Sequence, residues 1–130
     1  MDKVVAHYQT GKVAKGLAFD FAPARDWFHL LLRGGDAPPM EIRVPELKAL
    51  FFVKDLSGNG RQPKFNEFDL SVKIPGRKVR VRFRDGEVMQ GFSWGCQVGR
   101  FGFFLTPADV RSNNERCYIV STATEEITWL

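Results

Sequence analysis

The sequence predicts an all-β protein composed of two tandem five-stranded small barrels, which could pack as one pseudo-twofold body. The first observation behind this prediction is an internal repeat, because the stretch from Lys3 to Leu30 realigns without a gap on the stretch from Lys78 to Leu105. Such self-similarity is typical of duplicated structural units. The second observation is that short segments with strand-like alternation recur between turn residues, whereas no long amphipathic helix pattern is present.

The repeat rests on identical residues at matched positions. Its glycines are the most informative members, since shared alternation alone could match strand residues. The identical pairs are Lys3 with Lys78, Val4 with Val79, Gly11 with Gly86, Val13 with Val88, Gly16 with Gly91, Arg25 with Arg100, Phe28 with Phe103 and Leu30 with Leu105. With one extra residue in the second loop, Ile42, Val44, Leu47, Phe51 and Val53 fall on Tyr118, Val120, Ala123, Ile127 and Trp129.

The local pattern within each unit predicts strands joined by tight hairpins. From Val79 to Arg84 apolar residues alternate with arginines, which is the period of a half-buried strand. Asp85-Gly86 then predicts a hairpin turn, and Thr10-Gly11 stands at the same place in the first unit. Gly16 and Gly91 follow inside strand patterns, where a glycine predicts a bend or bulge that lets a sheet curl into a barrel.

The remaining segments complete five strands per unit and separate the two units. A third strand is predicted at 102–105 in the second unit and at 28–31 in the first, and strands near 117–120 and 127–130 follow in the second unit. The stretch from Leu56 to Pro75 is rich in glycine and proline and predicts a partly docked linker. We therefore expect a first barrel in residues 1–55, a linker in 56–75 and a second barrel in 76–130.

This strand order, with its bent second strand, its Asp-Gly turn and its short last strand, resembles the Sm-like small-barrel fold. More specifically, residues 78–88, Gly102 to Asp109 and Ser112 to Arg116 are similar to an uncharacterised bacterial domain family. That resemblance implies tandem Sm-like barrels and carries no assigned activity. The Arg-Gly or Lys-Gly turn of RNA-binding Sm-like proteins is replaced here by Val44-Pro45-Glu46-Leu47 and by Val120-Ser121-Thr122-Ala123.

Composition and charge exclude several functional classes. The only cysteines, Cys96 and Cys117, give neither a disulfide framework nor a four-ligand metal set and are expected to be reduced thiols. The only histidines, His7 and His29, lack metal-ligand or catalytic-triad spacing. No signal peptide is visible, and the longest apolar run is far below the roughly 20 residues that span a bilayer. We expect a cytoplasmic protein without enzymatic activity, cofactor, metal or membrane contact.

The most prominent candidate site is a row of basic residues that begins just before one predicted strand and continues along it. These residues are Arg77, Lys78, Arg80, Arg82 and Arg84. Alternate side chains on one strand face lie about 7 Å apart, a spacing suited to successive phosphates or other anions. Acidic neighbours and a net charge of only +4 favour the alternative, an ordinary solvated face. Both interpretations remain open at the level of the sequence.

A polar loop in the second unit is a candidate partner contact. Its residues are Ser112, Asn113, Asn114 and Arg116. Asn and Ser side chains in such a loop can equally hydrogen-bond the local backbone. Exposed rings such as Trp27, Trp94 and Phe101 could stack bases, but the match of Phe19 with Trp94 favours barrel filling.

The sequence thus predicts a non-enzymatic binding module, a protein-interaction or regulatory adaptor domain with a protein partner and an undetermined oligomeric state. The alternative is nucleic-acid or anionic-ligand binding through Arg80, Arg82 and Arg84. A minor alternative is cyclic di-GMP binding at Asp55 to Gly60, which fits the short Asp-x-Ser-x-x-Gly signature of PilZ domains but lacks their upstream arginine pair.

Overall fold

The computed structural model describes residues 1–32, 37–57, 74–95, 101–109 and 112–130. These residues form strands and two single-turn 3-10 helices, Val44–Glu46 and Ser121–Ala123, and contain no α-helix, so the prediction of an all-β chain is confirmed. The strands are β1 (Asp2–Tyr8), β2 (Val13–Ala18), β3 (Trp27–Leu32), β4 (Met40–Arg43), β5 (Leu47–Val53), β6 (Arg77–Phe83), β7 (Val88–Ser93), β8 (Gly102–Pro107), β9 (Asn114–Val120) and β10 (Thr124–Trp129).

All ten strands belong to one open antiparallel sheet in the order β10-β6-β7-β8-β9-β5-β1-β2-β3-β4. The prediction of two closed barrels is therefore corrected, since β5 pairs with β9 and makes the two halves of the sheet continuous. A strand has two hydrogen-bonding edges, and β5 uses one for β1 and the other for β9. Most of the predicted linker, residues 58–73, lies outside the described residues.

The two predicted hairpin turns are present. Gly11 and Gly86 adopt φ angles of 95° and 92°, a region that favours glycine. The Gly11 amide donates to the carbonyl of Tyr8, and the Gly86 amide donates to that of Phe83. Both connections are three-residue loops with glycine in the left-handed position.

Of the predicted bend or bulge at Gly16 and Gly91, the bulge is absent from the pairings with β1 and β6. The pairing of β1 with β2 is regular at Gly16, and that of β6 with β7 is regular at Gly91, so neither glycine forms a bulge there. Instead, a β-carbon on Gly16 would lie 2.2 Å from the Leu31 carbonyl oxygen, and one on Gly91 would lie 2.2 Å from that of Thr106. These positions admit only glycine because the backbone of the next strand approaches closely.

The pairing registers also correct the predicted alignment of the later strands. Phe28 lies opposite Ile42, and its counterpart Phe103 lies opposite Ile119. Ile42 therefore occupies the position of Ile119 in the other half, one residue beyond the predicted Tyr118. A one-residue shift exchanges the two faces of a strand, so this correction decides which side chains correspond.

The interior consists of two hydrophobic cores that share β5 and β9. Along β5, Leu50 and Phe52 pack into the first core, whereas Ala49, Phe51 and Val53 pack into the second. Along β9, Tyr118 and Val120 pack into the first core, whereas Cys117 and Ile119 pack into the second. Both faces of β5 and of residues 117–120 of β9 are buried, unlike those of a strand at a solvated surface.

We predict that Gly91→Ala lowers the free energy of unfolding by about 2–4 kcal/mol, because the added methyl group would collide with backbone that must then shift. The matched control is Gly95→Ala, since a β-carbon there meets nothing within 4 Å. Urea unfolding followed by tryptophan fluorescence measures both variants. Equal stability of the two variants would show that the close approach at Gly91 is unimportant.

Candidate functional site

In the predicted basic row, neighbouring groups engage Arg82 and Arg84, and the members in the exposed phase of β6 are Lys78, Arg80, Arg82 and Arg84. Arg82 Nη2 lies 2.8 Å from Glu126 Oε2, and Arg82 Nε lies 3.6 Å from Glu125 Oε2. Arg84 Nε donates a hydrogen bond of 2.8 Å to the carbonyl of Thr122. Two carboxylates from β10 therefore compensate the charge at the centre of the row.

The other members of the row are not arranged as a series of anion contacts. The guanidinium of Arg77 lies 5.0 Å from the centre of the Trp129 ring, in a cation–π contact. Lys78 accepts a backbone hydrogen bond from Leu130. Arg80 is exposed, and the described residues give it no carboxylate partner. This geometry favours the solvated-face interpretation over a phosphate-binding row.

The polar loop before β9 joins the two halves of the sheet. Asn113 Nδ2 donates to the carbonyl of Asp55 at 2.9 Å, and its Oδ1 accepts from the Asp55 amide at 3.0 Å. The Asn113 carbonyl accepts from the Lys54 amide at 2.9 Å. Ser112 Oγ accepts from the Asn114 amide within the loop. The backbone-bonding alternative therefore accounts for these side chains.

Arg116, the fourth predicted contact residue, also lies at this joint. Its guanidinium is 4.3 Å from the centre of the Phe52 ring and 4.7 Å from that of Phe104. Phe52 comes from the first half and Phe104 from the second. The arginine therefore contacts aromatic rings from both halves rather than projecting freely into solvent.

The Asp55 to Gly60 motif is only partly described. Asp55 Oδ1 accepts a hydrogen bond of 3.0 Å from the Ser57 amide, which is an Asx-turn. Gly58 to Gly60 lie outside the described residues. Within the described part, the Asp55 side chain supports a turn.

Lys48 forms an ion-pair cluster across the joint. Its Nζ lies 2.7 Å from Asp85 Oδ2 and 2.7 Å from Glu87 Oε1, and 4.6 Å from the centre of the Phe83 ring. The Lys48 side chain is only 12% exposed. Burial acts to lower the pKa of Lys48, but hydrogen bonds to the two carboxylates outweigh it and raise that pKa. The hydrogen bond from Lys48 likewise lowers the pKa of Asp85. The sequence signal that could have identified this cluster was Lys48 itself, a lone cation in an otherwise apolar strand.

A second unpredicted feature is a carboxylate–histidine pair on the outer face of β3. Asp20 Oδ1 accepts from the His29 amide at 2.7 Å, and Asp20 Oδ2 lies 2.7 Å from His29 Nδ1. Burial acts to raise the pKa of Asp20, but these hydrogen bonds and the charges of His29 and Arg25 outweigh it and lower the pKa. Two contacts to one carboxylate fix the imidazole on the surface, with Nδ1 occupied.

Aromatic rings surround this pair. The Phe19 ring is nearly parallel to that of His29, with centres 6.1 Å apart, and the Trp27 ring meets His29 edge-on at 5.1 Å. The guanidinium of Arg25 lies 5.3 Å from the centre of the Trp27 ring. We call Phe19, Arg25, Trp27 and His29 the aromatic–histidine face. The expectation that Phe19 and Trp94 fill barrels is wrong, because they are 54% and 80% exposed.

The corresponding face of the second half is covered. His29 takes the position of Phe104, and Phe104 packs at 5.1 Å from the Tyr118 ring. The first half covers both rings, since Phe21 lies 6.4 Å from Phe104 and 5.2 Å from Tyr118, and Phe52 lies 6.2 Å from Phe104. The same sheet face is thus internal in one half and open in the other.

The described residues hold no group of three or more His, Cys, Asp or Glu side chains placed to bind a metal ion. Cys117 is buried in the second core, and Cys96 lies outside the described residues. Within the described part of the chain, no helix is long and apolar enough to cross a membrane.

Comparison with known proteins gives one match. The model of a family of unknown function (DUF6982) matches residues 1–130. No curated protein and no solved structure matches the chain.

We predict that Lys48→Met lowers the free energy of unfolding by about 1 kcal/mol at neutral pH, since both carboxylates are partly solvated and lose only a partial contact. The contribution of a carboxylate with a lowered pKa is present above its unfolded pKa and is lost as the pH falls through its folded pKa. The difference from the wild type should therefore shrink below about pH 4. Lys15→Met, on an exposed strand position, is the control. A difference that persists at pH 2 would contradict the ion-pair account.

We also predict opposite outcomes for two nearby phenylalanines. Phe21→Ala should cost about 2–4 kcal/mol of unfolding free energy, because its ring packs against four rings of the first core and the joint. Phe19→Ala should change stability by about 0.5 kcal/mol or less, since Phe19 is mostly exposed. Thermal unfolding by circular dichroism compares them. A large loss at Phe19 would assign the aromatic–histidine face to the core.

Proposed function

Because the chain belongs to a family of unknown function (DUF6982), we propose its role from its surface: it is a non-enzymatic protein-interaction module of the adaptor type. The single observation that carries the proposal is the aromatic–histidine face, which is open on β3 while the corresponding face on β8 and β9 is covered by the rest of the chain. A surface ring cluster in which Phe19 is mostly exposed and Trp27 and His29 are half-exposed marks an interaction surface.

We further propose that the chain is a tandem pair of Sm-like units, residues 1–55 and 76–130. Each half has its last strand beside its first, in the orders β5-β1-β2-β3-β4 and β10-β6-β7-β8-β9. Matching hairpin loops at Gly11 and Gly86 support the same proposal. In this arrangement the first unit caps the second, which leaves the outer face of the first unit for another protein.

The chemistry of the aromatic–histidine face favours a protein partner over nucleic acid. Trp27 and Arg25 are residue types enriched among the energetically dominant contacts of protein interfaces. Carboxylates lie close by, at Asp20 and in the exposed pair of Glu41 with Arg43. A phosphate backbone would meet these anions, whereas a protein surface can complement mixed charge.

Site-specific crosslinking tests the proposal. A photo-crosslinking amino acid at Leu31, next to the face on β3, should trap a protein in cells, and that protein is then purified. We predict that Trp27→Ala raises the dissociation constant of the complex with that protein by about 30-fold, as expected for an interface hot spot. Val88→Ala, on the other half, should leave this constant unchanged. Equal affinity of both variants would place the interface elsewhere.

The nucleic-acid alternative is tested separately by fluorescence anisotropy with single-stranded RNA and DNA across a salt series. We expect no micromolar binding. Micromolar affinity that falls steeply with salt, and is lost when Arg80, Arg82 and Arg84 are all replaced by Gln, would replace the protein-interaction proposal with anion binding through β6. Heat released on titration with cyclic di-GMP would favour the minor alternative at Asp55 to Gly60.

A further inference from the structure

The last strand, β10, lies at one end of the sheet and has one hydrogen-bonding edge that no described strand pairs. Among the described strands it pairs only with β6, at the opposite end of the sheet from β4. The Leu130 amide donates to the Lys78 carbonyl, so residues at alternate positions along β10 direct their backbone groups to β6. The amides and carbonyls of Ile127 and Trp129 consequently face the open edge.

The first half shows how a strand adds to such an edge. In the repeat, Ala6 corresponds to Val81. Leu50 lies opposite Ala6 and Ile127 lies opposite Val81, so β5 is the counterpart of β10. The corresponding edge of β5 is occupied by β9, with Leu50 opposite Tyr118. The internal joint is therefore a template for strand addition at β10.

The open edge of β10 is also chemically suited to a strand. Thr124–Trp129 contains no proline, so every residue retains its backbone donor. Ile127 and Trp129 are only partly buried against the second core, and both flank the edge. An added strand would extend the sheet and bury more of these two side chains.

Strand β4 of a second copy of this chain does not match this edge. The counterpart of β9 is β4, where Glu41 and Arg43 hold the positions of Tyr118 and Val120. At the register of β9 on β5, pairing β4 with β10 would place Glu41 opposite Ile127 and Pro39 opposite Trp129, which sets a carboxylate beside an apolar side chain at a cost in free energy. The residues that flank β4, Pro39 and Pro45, offer no backbone donor.

We propose that the open edge of β10 binds an extended segment of a partner protein by antiparallel strand addition. The segment carries a large apolar side chain beside Ile127, as Tyr118 of β9 lies beside Leu50, and a long side chain that covers the Trp129 ring, as Arg116 of β9 covers Phe52. Backbone hydrogen bonds supply affinity and the alternate side chains supply selectivity. This surface is separate from the aromatic–histidine face on β3.

A peptide that copies β9 tests the proposal on the full chain. Its sequence is that of residues 113–120 with Ser in place of Cys117, and binding is followed by amide chemical shifts and hydrogen exchange. We expect saturable binding below millimolar concentration, with protection of the Ile127 and Trp129 amides. Absence of binding at 1 mM, or protection confined to β5, would overturn the proposal.

Two further peptides provide matched controls that leave the protein unchanged. In the template, the Tyr118 amide faces the neighbouring edge and the Ile119 amide faces away from it. Methylation of the peptide nitrogen at Tyr118 should weaken binding by about tenfold or more, whereas methylation at Ile119 should not, because only the former removes a donor at the edge. Equal effects would exclude strand addition. A β4 peptide, residues 39–45, that bound as well as the β9 peptide would indicate a second copy and overturn the choice of partner.

Discussion

The pairing of β5 with β9 is the constraint on which the rest of this structure depends. It is the only ladder between the two halves among the described strands, and both faces of β5 and of the second part of β9 are buried. Each half thereby completes the core of the other, because β5 sends Phe51 into the second core and β9 sends Tyr118 into the first. Without this pairing, the two halves would be connected only through the chain. Each would be a thin sheet with an exposed apolar face, which is unfavourable for units of this size.

The polar groups at this joint follow from the same constraint. Asn113 bonds both backbone groups of Asp55, and Lys48 bridges to the hairpin of the second half. These contacts fix the register of β5 against β9, since a shift of one residue would exchange the core-facing side chains. The polar residues of the loop before β9 thus stabilise the pairing of the two halves of the sheet. The surfaces left for partners are those that this pairing does not cover, namely the aromatic–histidine face and the unpaired edge of β10.

Sequence reasoning predicted the strands, the two hairpins and the exposed arginines of β6, because local alternation and turn chemistry determine these features. It could not predict the open sheet, since the second partner of β5 depends on a non-local pairing that no local pattern specifies. At Gly91 it did not predict the close approach of the Thr106 carbonyl, because the position of a neighbouring strand depends on non-local pairing. The aromatic–histidine face was missed because the match of Phe19 with Trp94 favoured core positions, whereas His29 in the outward phase of β3 was a signal that could have found it.

The two ends of the sheet show how one repeated unit can acquire different surfaces. At β4, prolines and charged side chains limit further pairing, a common protection of exposed edges. At β10, the carboxylates of Glu125 and Glu126 instead form ion pairs with Arg82. Ile127 and Trp129 lie beside the edge, and the strand contains no proline. If β4 were as open as β10, copies of the chain could join end to end without limit, because a heterologous contact that does not close generates filaments. Closing one edge while leaving the other open admits a foreign strand without that risk.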